Sequence, residues 1–459
     1  MEFQDFQTLI LAAGEGTRMK SAKPKVAHEL LGKPLIRWVA DAAKAAGTKR
    51  LIAVVGHQRD IVSALVPDAT CVVQQELLGT GHAIMIARDT ITKAGAPASI
   101  VILCGDTPLI TPDTIKRIVA RQQDEQAACC ALSFEPDNPS GYGRIIRASD
   151  GTLERIVEEK DANGAERAVR EVNSGMYCFD VAALVSALDK LTNDNAQGEY
   201  YLTDTLEIIK RDGGRVIVEK AKDAIEPLGI NDRVRLADAT SLMQERINHA
   251  HMLAGVTMLD PSSVWVGPDV TLEQDVTLLP LTFLQGDTHI ASGSVVGPNS
   301  RVNNSNIGHD CAVDESVLVY ATLEDRVSVG PRAYLRPGTI MRQGSRAGTH
   351  VEIKNSDIGE NSKVPHLSYI GDTKMGAGVN IGASSITCNY DGVNKNHTTI
   401  GDRAFIGSDT MFVAPVNVGN DVVTGAGSVI TKDVPDGSLA IGRSKQANIE
   451  GWAKKKKGH

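Results

Sequence analysis

A six-residue repeat in the second half of the chain does most to limit what it can fold into. Aliphatic-glycine pairs recur at Ile400-Gly401, Ile406-Gly407 and Val418-Gly419, and Thr424-Gly425 continues the series with threonine in the aliphatic place. Earlier pairs are Val266-Gly267, Val296-Gly297, Ile307-Gly308, Val329-Gly330, Ile358-Gly359, Ile370-Gly371 and Ile381-Gly382. A period of six is the hexapeptide signature of a parallel β-helix. Each hexad supplies one flat face, its aliphatic residue points inward, and stacked coils bury a continuous core. Residues 254–442 are enough for roughly ten coils of three hexads. The polar segment 387–397 breaks the period, so it must leave the stack as a loop, and such loops carry function in solenoids.

The first half follows a different pattern. Between residue 6 and about residue 228, apolar runs at 51–56, 100–104 and 176–179 alternate with amphipathic stretches such as 35–46 and 111–120. That alternation predicts a mostly parallel sheet with helices on both faces, and ligands at the carboxyl ends of the strands. Leu9 to Met19 reads as a buried strand entering a glycine-rich turn, followed by Lys23-Pro24-Lys25. Gly14 and Gly16 let backbone N–H groups approach a polyphosphate, and Arg18 and Lys25 supply the charge that phosphoryl transfer needs. The turn is neither a Walker loop nor a G-x-G-x-x-G dinucleotide turn. Asp106, just past the apolar run that ends at Cys104, is either a hard oxygen donor suited to Mg²⁺ or a cap on the helix that follows. Residues 231–253 read as one connecting helix with apolar Val234, Leu236, Leu242 and Ile247, ended by Gly255.

At 459 residues the chain predicts two or three domains. A net charge of -8 with 23% charged residues leaves no basic footprint for nucleic acid. Seven cysteines without C-x-x-C spacing suit free thiols in a reducing cytosol. Glu2 and Asp5 stand where a signal peptide is apolar, and no run is long enough to span a membrane. A cytoplasmic protein with no membrane or nucleic-acid partner is expected. The lysines of 454–457 read as a solvated charge run.

The glycine turn with Arg18 and Lys23-Pro24-Lys25 resembles the signature of sugar nucleotidyltransferases. Gln74-Gln75-Glu76-Leu77-Leu78-Gly79-Thr80-Gly81-His82-Ala83, Gly229-Ile230-Asn231-Asp232, Gly141-Tyr142-Gly143-Arg144, Val157-Glu158-Glu159-Lys160 and Glu171-Val172-Asn173-Ser174-Gly175 extend the likeness. So do Pro365-His366-Leu367-Ser368-Tyr369-Ile370-Gly371-Asp372 and Asn389-Tyr390 in the second half. Over its whole length the chain resembles the bacterial family of bifunctional N-acetylglucosamine-1-phosphate uridyltransferases/glucosamine-1-phosphate acetyltransferases. The resemblance implies an α/β Rossmann-like nucleotidyltransferase domain (residues 1–230), a linker helix (231–253), a left-handed parallel β-helix acetyltransferase domain (254–447) and a basic tail (448–459).

For the first domain the resemblance implies that Leu11, Ala12, Ala13, Gly14, Lys25, Gln74, Gly79, Thr80, Asp106, Gly143, Glu158, Asn173 and Asn231 bind UTP and UDP-N-acetylglucosamine. Gln74, Gly79 and Thr80 fall to uracil; Asp106 and Asn231 fall to Mg²⁺; Arg18 and Lys25 are catalytic. Residues 197–204 are assigned to the lining of the sugar pocket. For the second domain it implies that Arg336, Lys354, Tyr369 and Asn380 bind glucosamine-1-phosphate. Ala383, Asn389, Tyr390, Ser408, Ala426 and Arg443 take acetyl-CoA, and His366 is the general base. The chemistry agrees, because the attacking amine must lose a proton, and histidine accepts one near neutrality. Tyr390 or a backbone N–H near Ser408 would stabilise the oxyanion. One departure is Lys363-Val364-Pro365, where many members have Lys-Ala-Gly. The family also implies a homotrimer with acyl sites between subunits and a product used for the bacterial envelope. The alternative is a single-activity sugar-1-phosphate nucleotidyltransferase with a structural or regulatory β-helix.

Overall fold

A computed structural model describes residues 4–455. Its chain falls into two units, divided between Met243 and Gln244. The first is built on a mixed sheet whose main strands are β1 (Phe6–Ala12), β2 (Arg50–Val55), β3 (Thr70–Val73), β4 (Ser99–Cys104), β5 (Cys129–Phe134), β6 (Val172–Asp180) and β7 (Val216–Lys220). Their order across the sheet is β7-β5-β6-β4-β1-β2-β3. All neighbours are parallel except β6, which runs antiparallel to both β4 and β5. A hairpin of Arg144–Arg147 and Leu153–Val157 joins through Val172.

The strands are apolar almost throughout because helices cover both faces. Ile10, Ala53 and Leu103 pack with Ile36, Val39, Ile115 and Ile118 on one side, and Leu9, Ile52 and Ile102 pack with Ile84, Leu184 and Leu206 on the other. Since β1 and β4 are neighbours, the loops leaving their carboxyl ends are brought together. Gly105 N donates to Leu11 O at 2.9 Å.

The connecting helix runs from Arg233 to Leu253 and gives way at Gly255, whose φ is +101°. Its apolar pattern is not the expected one. Val234 is 71% exposed, and the buried positions are Ala239, Met243, Gln244 and Asn248. Two of these are polar because they cap backbone at the start of the β-helix. Gln244 Nε2 donates to Val264 O (2.6 Å) and Asn248 Nδ2 donates to Val264 O (2.8 Å) and Pro261 O (2.9 Å).

In the second unit three parallel sheets of eleven, ten and nine short strands form the faces of a left-handed parallel β-helix. Arg346–Thr349, Glu352–Lys354 and Asp357–Ile358 make up one coil, each strand lying on the matching strand of the next. The repeat aliphatics point inward, and Leu335, Ile353 and Ile370 stack one above another with no exposed surface. The glycine that follows each aliphatic residue sits where coils approach closely. A Cβ on Gly382 would lie 2.4 Å from Ser408 N. Residues 389–397 leave the stack between the strands Ile386–Cys388 and Thr398–Ile400. Lys454 and Lys455 are exposed in a short helix, while Lys456 and Lys457 lie outside the described residues.

Candidate active sites

In the first unit a cavity of about 280 Å³ opens at the carboxyl ends of β1 and β4. Leu11, Ala12, Ala13 and Gly14 form one wall, Gln74, Gly79 and Thr80 another, and Lys25 and Asp106 the floor. Gln74 is buried, with Nε2 held by Gly79 O at 3.3 Å and facing His82 Nδ1 at 3.1 Å. Gly79 has φ +101°, and a Cβ there would stand 2.7 Å from Tyr200 O, so only glycine fits.

Four charged or polar side chains from distant parts of the sequence meet at the cavity's end. Lys25 Nζ donates to Asp106 Oδ2 and, at 3.2 Å, to Asn231 Oδ1. Arg18 Nη2 donates to the same Asn231 oxygen at 2.8 Å. The backbone brings this about, as Ile230 N donates to Asp106 O at 2.9 Å. Asp106 caps no helix; that task falls to Thr111, whose hydroxyl accepts from Thr114 N at 3.3 Å. The donor set fits Mg²⁺: two hard oxygens converge on a point where an ammonium group already sits, leaving other positions to phosphate and water.

A second cavity of about 200 Å³ shares Leu11, Thr80 and Cys104 with the first. Gly143, Glu158, Asn173, Leu202 and Thr203 line it. Asn173 Nδ2 donates to Tyr177 Oη at 2.6 Å, and Thr203 Oγ1 donates to Glu158 Oε1 at 3.2 Å. Burial, reinforced by Asp204 and Asp161, keeps the Glu158 carboxyl above the usual range despite the Thr203 hydrogen bond. Burial also pushes the Cys104 thiol up to about 12, with the Asp106 charge adding to it, so this thiol stays protonated between the two cavities.

The β-helix holds two groupings. In the first, Arg336 and Lys354 belong to successive coils of one face, with Arg336 N bonded to Ile353 O at 2.8 Å. Arg336 Nη1 donates to Glu352 Oε1 at 2.7 Å, and Lys354 Nζ lies 3.7 Å from Asp372 Oδ2. Asn389 Nδ2 donates to Asp372 Oδ2 and reaches Tyr369 Oη at 3.5 Å. Gly371 makes room for that meeting, since a Cβ there would stand 2.5 Å from Tyr369 Oη and 2.8 Å from Asn389 Nδ2. Lys395 comes over from the extruded loop. Contact with the Lys354 ammonium and its charge hold the Lys395 pKa below the usual lysine range.

The second grouping is a column along one corner of the helix. Ser384 N donates to His366 O (3.3 Å), Asp409 N to Ala383 O (2.7 Å) and Gly427 N to Ser408 O (2.8 Å). His366, Ala383, Ser408 and Ala426 therefore occupy equivalent corners of successive coils. His366, Ser408 and Ala426 are exposed, and Arg443 Cδ lies within 3.9 Å of where a Gly427 Cβ would stand.

Residues 8–240 match the MobA-like NTP transferase domain, and residues 397–432 match the bacterial transferase hexapeptide (six repeats). The bifunctional protein GlmU of Streptomyces coelicolor is 49% identical over 454 residues, spanning 98% of this chain and 94% of that protein. Those of Caldanaerobacter subterraneus and Fervidobacterium nodosum are each 47% identical, spanning 99% and 98% of this chain and 98% of each relative. This chain belongs to the bifunctional GlmU family. It is a transferase with a nucleotidyltransferase unit and a hexapeptide-repeat unit.

Against that family background, the residues expected at the nucleotide and sugar sites lie in two adjoining cavities, with Arg18 and Asn231 held beside Lys25 of the first. In the β-helix, Arg336, Lys354, Tyr369 and Asn389 come together. Asn380 stands on a different face from Tyr369, beside Lys363 and Phe405, so one chain does not bring it to that cluster. Tyr390 is 60% exposed on the extruded loop, its hydroxyl turned to Gly392 O at 2.6 Å. Glu352, Asp372 and Lys395 had no assigned part, yet all belong to the cluster. The break in the hexad period at 387–397 was the only signal for Lys395, because nothing in sequence links it to Lys354.

Proposed function

We propose that the first unit joins UTP to N-acetylglucosamine-1-phosphate, releasing pyrophosphate, and that the second acetylates glucosamine-1-phosphate with acetyl-CoA. The observation carrying the first half is the convergence of Arg18, Lys25, Asp106 and Asn231 at one end of the cavity that Gln74, Gly79 and Thr80 also line. With Gln74 Nε2 committed to Gly79 O, its Oε1 is the group that accepts from a uracil N–H. Glu158 and Asn173 take sugar hydroxyl and amide groups in the adjoining cavity. A phosphate oxygen of the sugar phosphate attacks the α-phosphorus, and the bond to the pyrophosphate oxygen breaks. The nucleophile is already anionic, so the residues position and neutralise charge, and no base is needed. Asp106 and Asn231 would hold Mg²⁺, which would add to the neutralisation of the phosphates.

In the second unit Arg336, Lys354 and Lys395 form a cationic nest for the sugar phosphate. His366 accepts the proton lost as the glucosamine nitrogen attacks the thioester carbonyl, and coenzyme A thiolate departs. The corner column from His366 to Ala426, closed by Arg443, gives acetyl-CoA an open track. The separation of Asn380 from Tyr369 supports a site completed by another copy. Phe405, Val423 and Leu439, stacked in register, exposed and apolar, support self-association as a homotrimer. The assignments 1–230 to uridylylation, 231–253 to a linker and 254–447 to acetylation follow. A cytoplasmic setting suits the substrates and the unpaired cysteines among the described residues, where no helix is long and apolar enough to cross a membrane. The product then serves cell-envelope synthesis, including peptidoglycan and lipopolysaccharide.

The test supplies glucosamine-1-phosphate, acetyl-CoA, UTP and Mg²⁺ to the purified protein and separates the products. UDP-N-acetylglucosamine, pyrophosphate and free coenzyme A should all appear. Uridylylation of added N-acetylglucosamine-1-phosphate without any acetyl transfer would leave the single-activity reading.

A further inference from the structure

Asp372 sits at the centre of the first grouping of the β-helix, between Lys354 and Asn389. Its residue is 4% exposed and its φ is +50°, a left-handed turn that aspartate tolerates. Its carboxylate accepts from Asn355 Nδ2 at 2.6 Å and from Asn389 Nδ2, and it faces Lys354 Nζ at 3.7 Å. Burial alone would push the carboxyl up, but those amides and the charges of Lys354 and Lys395 hold it below the usual carboxylate range. Its backbone oxygen is engaged as well, accepting from Thr398 N at 3.2 Å and lying 3.2 Å from His397 Nδ1. Asn389 begins the extruded loop and His397 ends it, so one residue grips both ends. The loop closes on itself through Asn396 N to Asn389 O at 2.7 Å. Tyr390 and Lys395 face each other across this closed loop as an antiparallel bridge.

We propose that Asp372 is a positioning residue of the acetyl site, stapling the 389–397 loop to the coil that bears Lys354. One buried carboxylate then sets the sugar-phosphate contact through Lys354 and the acyl-donor contact through Asn389. Both substrates depend on the same anchor, though Asp372 touches neither. This rests on the reading of Lys354 and Asn389 as substrate contacts.

The test is Asp372→Asn in the full-length protein. Asparagine keeps the volume and the left-handed backbone, but its NH₂ would face the Nδ2 groups of Asn355 and Asn389 or the Lys354 ammonium, which donate or carry charge at this point. Weakening the hydrogen bonds from Asn355 and Asn389 and removing the charge that faces Lys354 should lower kcat/KM for glucosamine-1-phosphate and for acetyl-CoA together, roughly ten- to a hundredfold each. Lys354→Met should raise KM for the sugar phosphate only, and Asn389→Ala KM for acetyl-CoA only. Hydrogen exchange should quicken in 389–398 of Asp372→Asn and stay unchanged in the other coils. Asp372→Gly, which also keeps the backbone conformation, should reproduce the paired effect. If both Asp372 variants leave the two KM values alone while Lys354→Met and Asn389→Ala shift theirs, the staple is wrong and the site reading stands. If both variants melt early or fail to fold, with exchange rising in every coil, Asp372 is structural and the proposal falls. If Lys354→Met and Asn389→Ala leave acetylation intact, the site reading itself fails and the staple with it.

Discussion

Replacing Asp106 by asparagine separates chemistry from architecture in the first unit. Among the described residues its carboxylate is the only anionic group paired with the Lys25 ammonium, and its side chain is 16% exposed. Asparagine keeps the shape and one acceptor oxygen but removes the charge that a divalent ion and the ammonium both need. Lys25 still has Asn231 Oδ1 at 3.2 Å, so the folding cost stays near that of one weakened hydrogen bond, about 1 kcal/mol. In a unit of this size that lowers Tm by roughly 2–4 °C. The chemical cost is larger. Losing one preorganised electrostatic partner of a developing charge lowers kcat by about 10²–10³, and a displaced metal adds to it. The assay follows pyrophosphate release across a Mg²⁺ titration and, in the same sample, coenzyme A release by acetyl transfer. Uridylylation should collapse with its Mg²⁺ requirement shifted upward, and acetylation should hold. Equal loss of both activities would make Asp106 a folding residue, and near-normal uridylylation would remove it from the metal site.

Three other outcomes follow from the same geometry. His366→Ala should cut acetyl transfer by roughly 10²–10⁴, with Tm and uridylylation unchanged because the residue is exposed; near-normal acetylation at neutral pH would end its role as base. That loss should shrink as pH rises and more of the amine is already deprotonated. Burial, then the charges of Glu207 and Asp161, push the Asp204 carboxyl from 3.8 up to about 6, so the folded state holds this proton more tightly than the unfolded chain. Its contribution to stability is complete below the unfolded value and lost as pH rises through about 6. Asp204→Asn should accordingly stabilise the protein by about 1 kcal/mol at pH 8, allowing for screening of a half-exposed group, with the gain fading near pH 4. Equal gains at both pH values would refute the burial argument. Ile353→Ala, in the column between Leu335 and Ile370, should cost about 2–5 kcal/mol in denaturant unfolding of the β-helix, and a negligible cost would mean that the stack closes over the gap.

Much of the architecture was legible because it is periodic. Hexads alternate inward aliphatics with outward polar residues, and that alternation survives in any single coil, so coil number and core followed from counting. The sheet of the first unit was legible for a related reason: strands covered on both faces must be apolar along their length. The connecting helix was read less well. Its buried face carries Gln244 and Asn248, whose amides satisfy Pro261 and Val264 carbonyls, and a helix that hydrogen-bonds its neighbour leaves no apolar stripe to find.

The sequence by itself determined the order of the two patterns, the inward face of every coil, the glycine turn with its two cations, and the place where the coil period breaks. Each depends on neighbours within a few residues, which a linear text preserves. Only the tertiary structure decided which distant groups share a site. Arg18, Lys25, Asp106 and Asn231 meet because parallel strand ends lie side by side and Ile230 pairs with the backbone of Asp106. Asp372 reaches Lys354 one coil below and Asn389 one coil above because stacking sets residues of successive coils one above another. A carboxylate buried among three donors cannot be told from a surface aspartate in the sequence. Its meaning comes from dehydration and from the partners that the fold places around it.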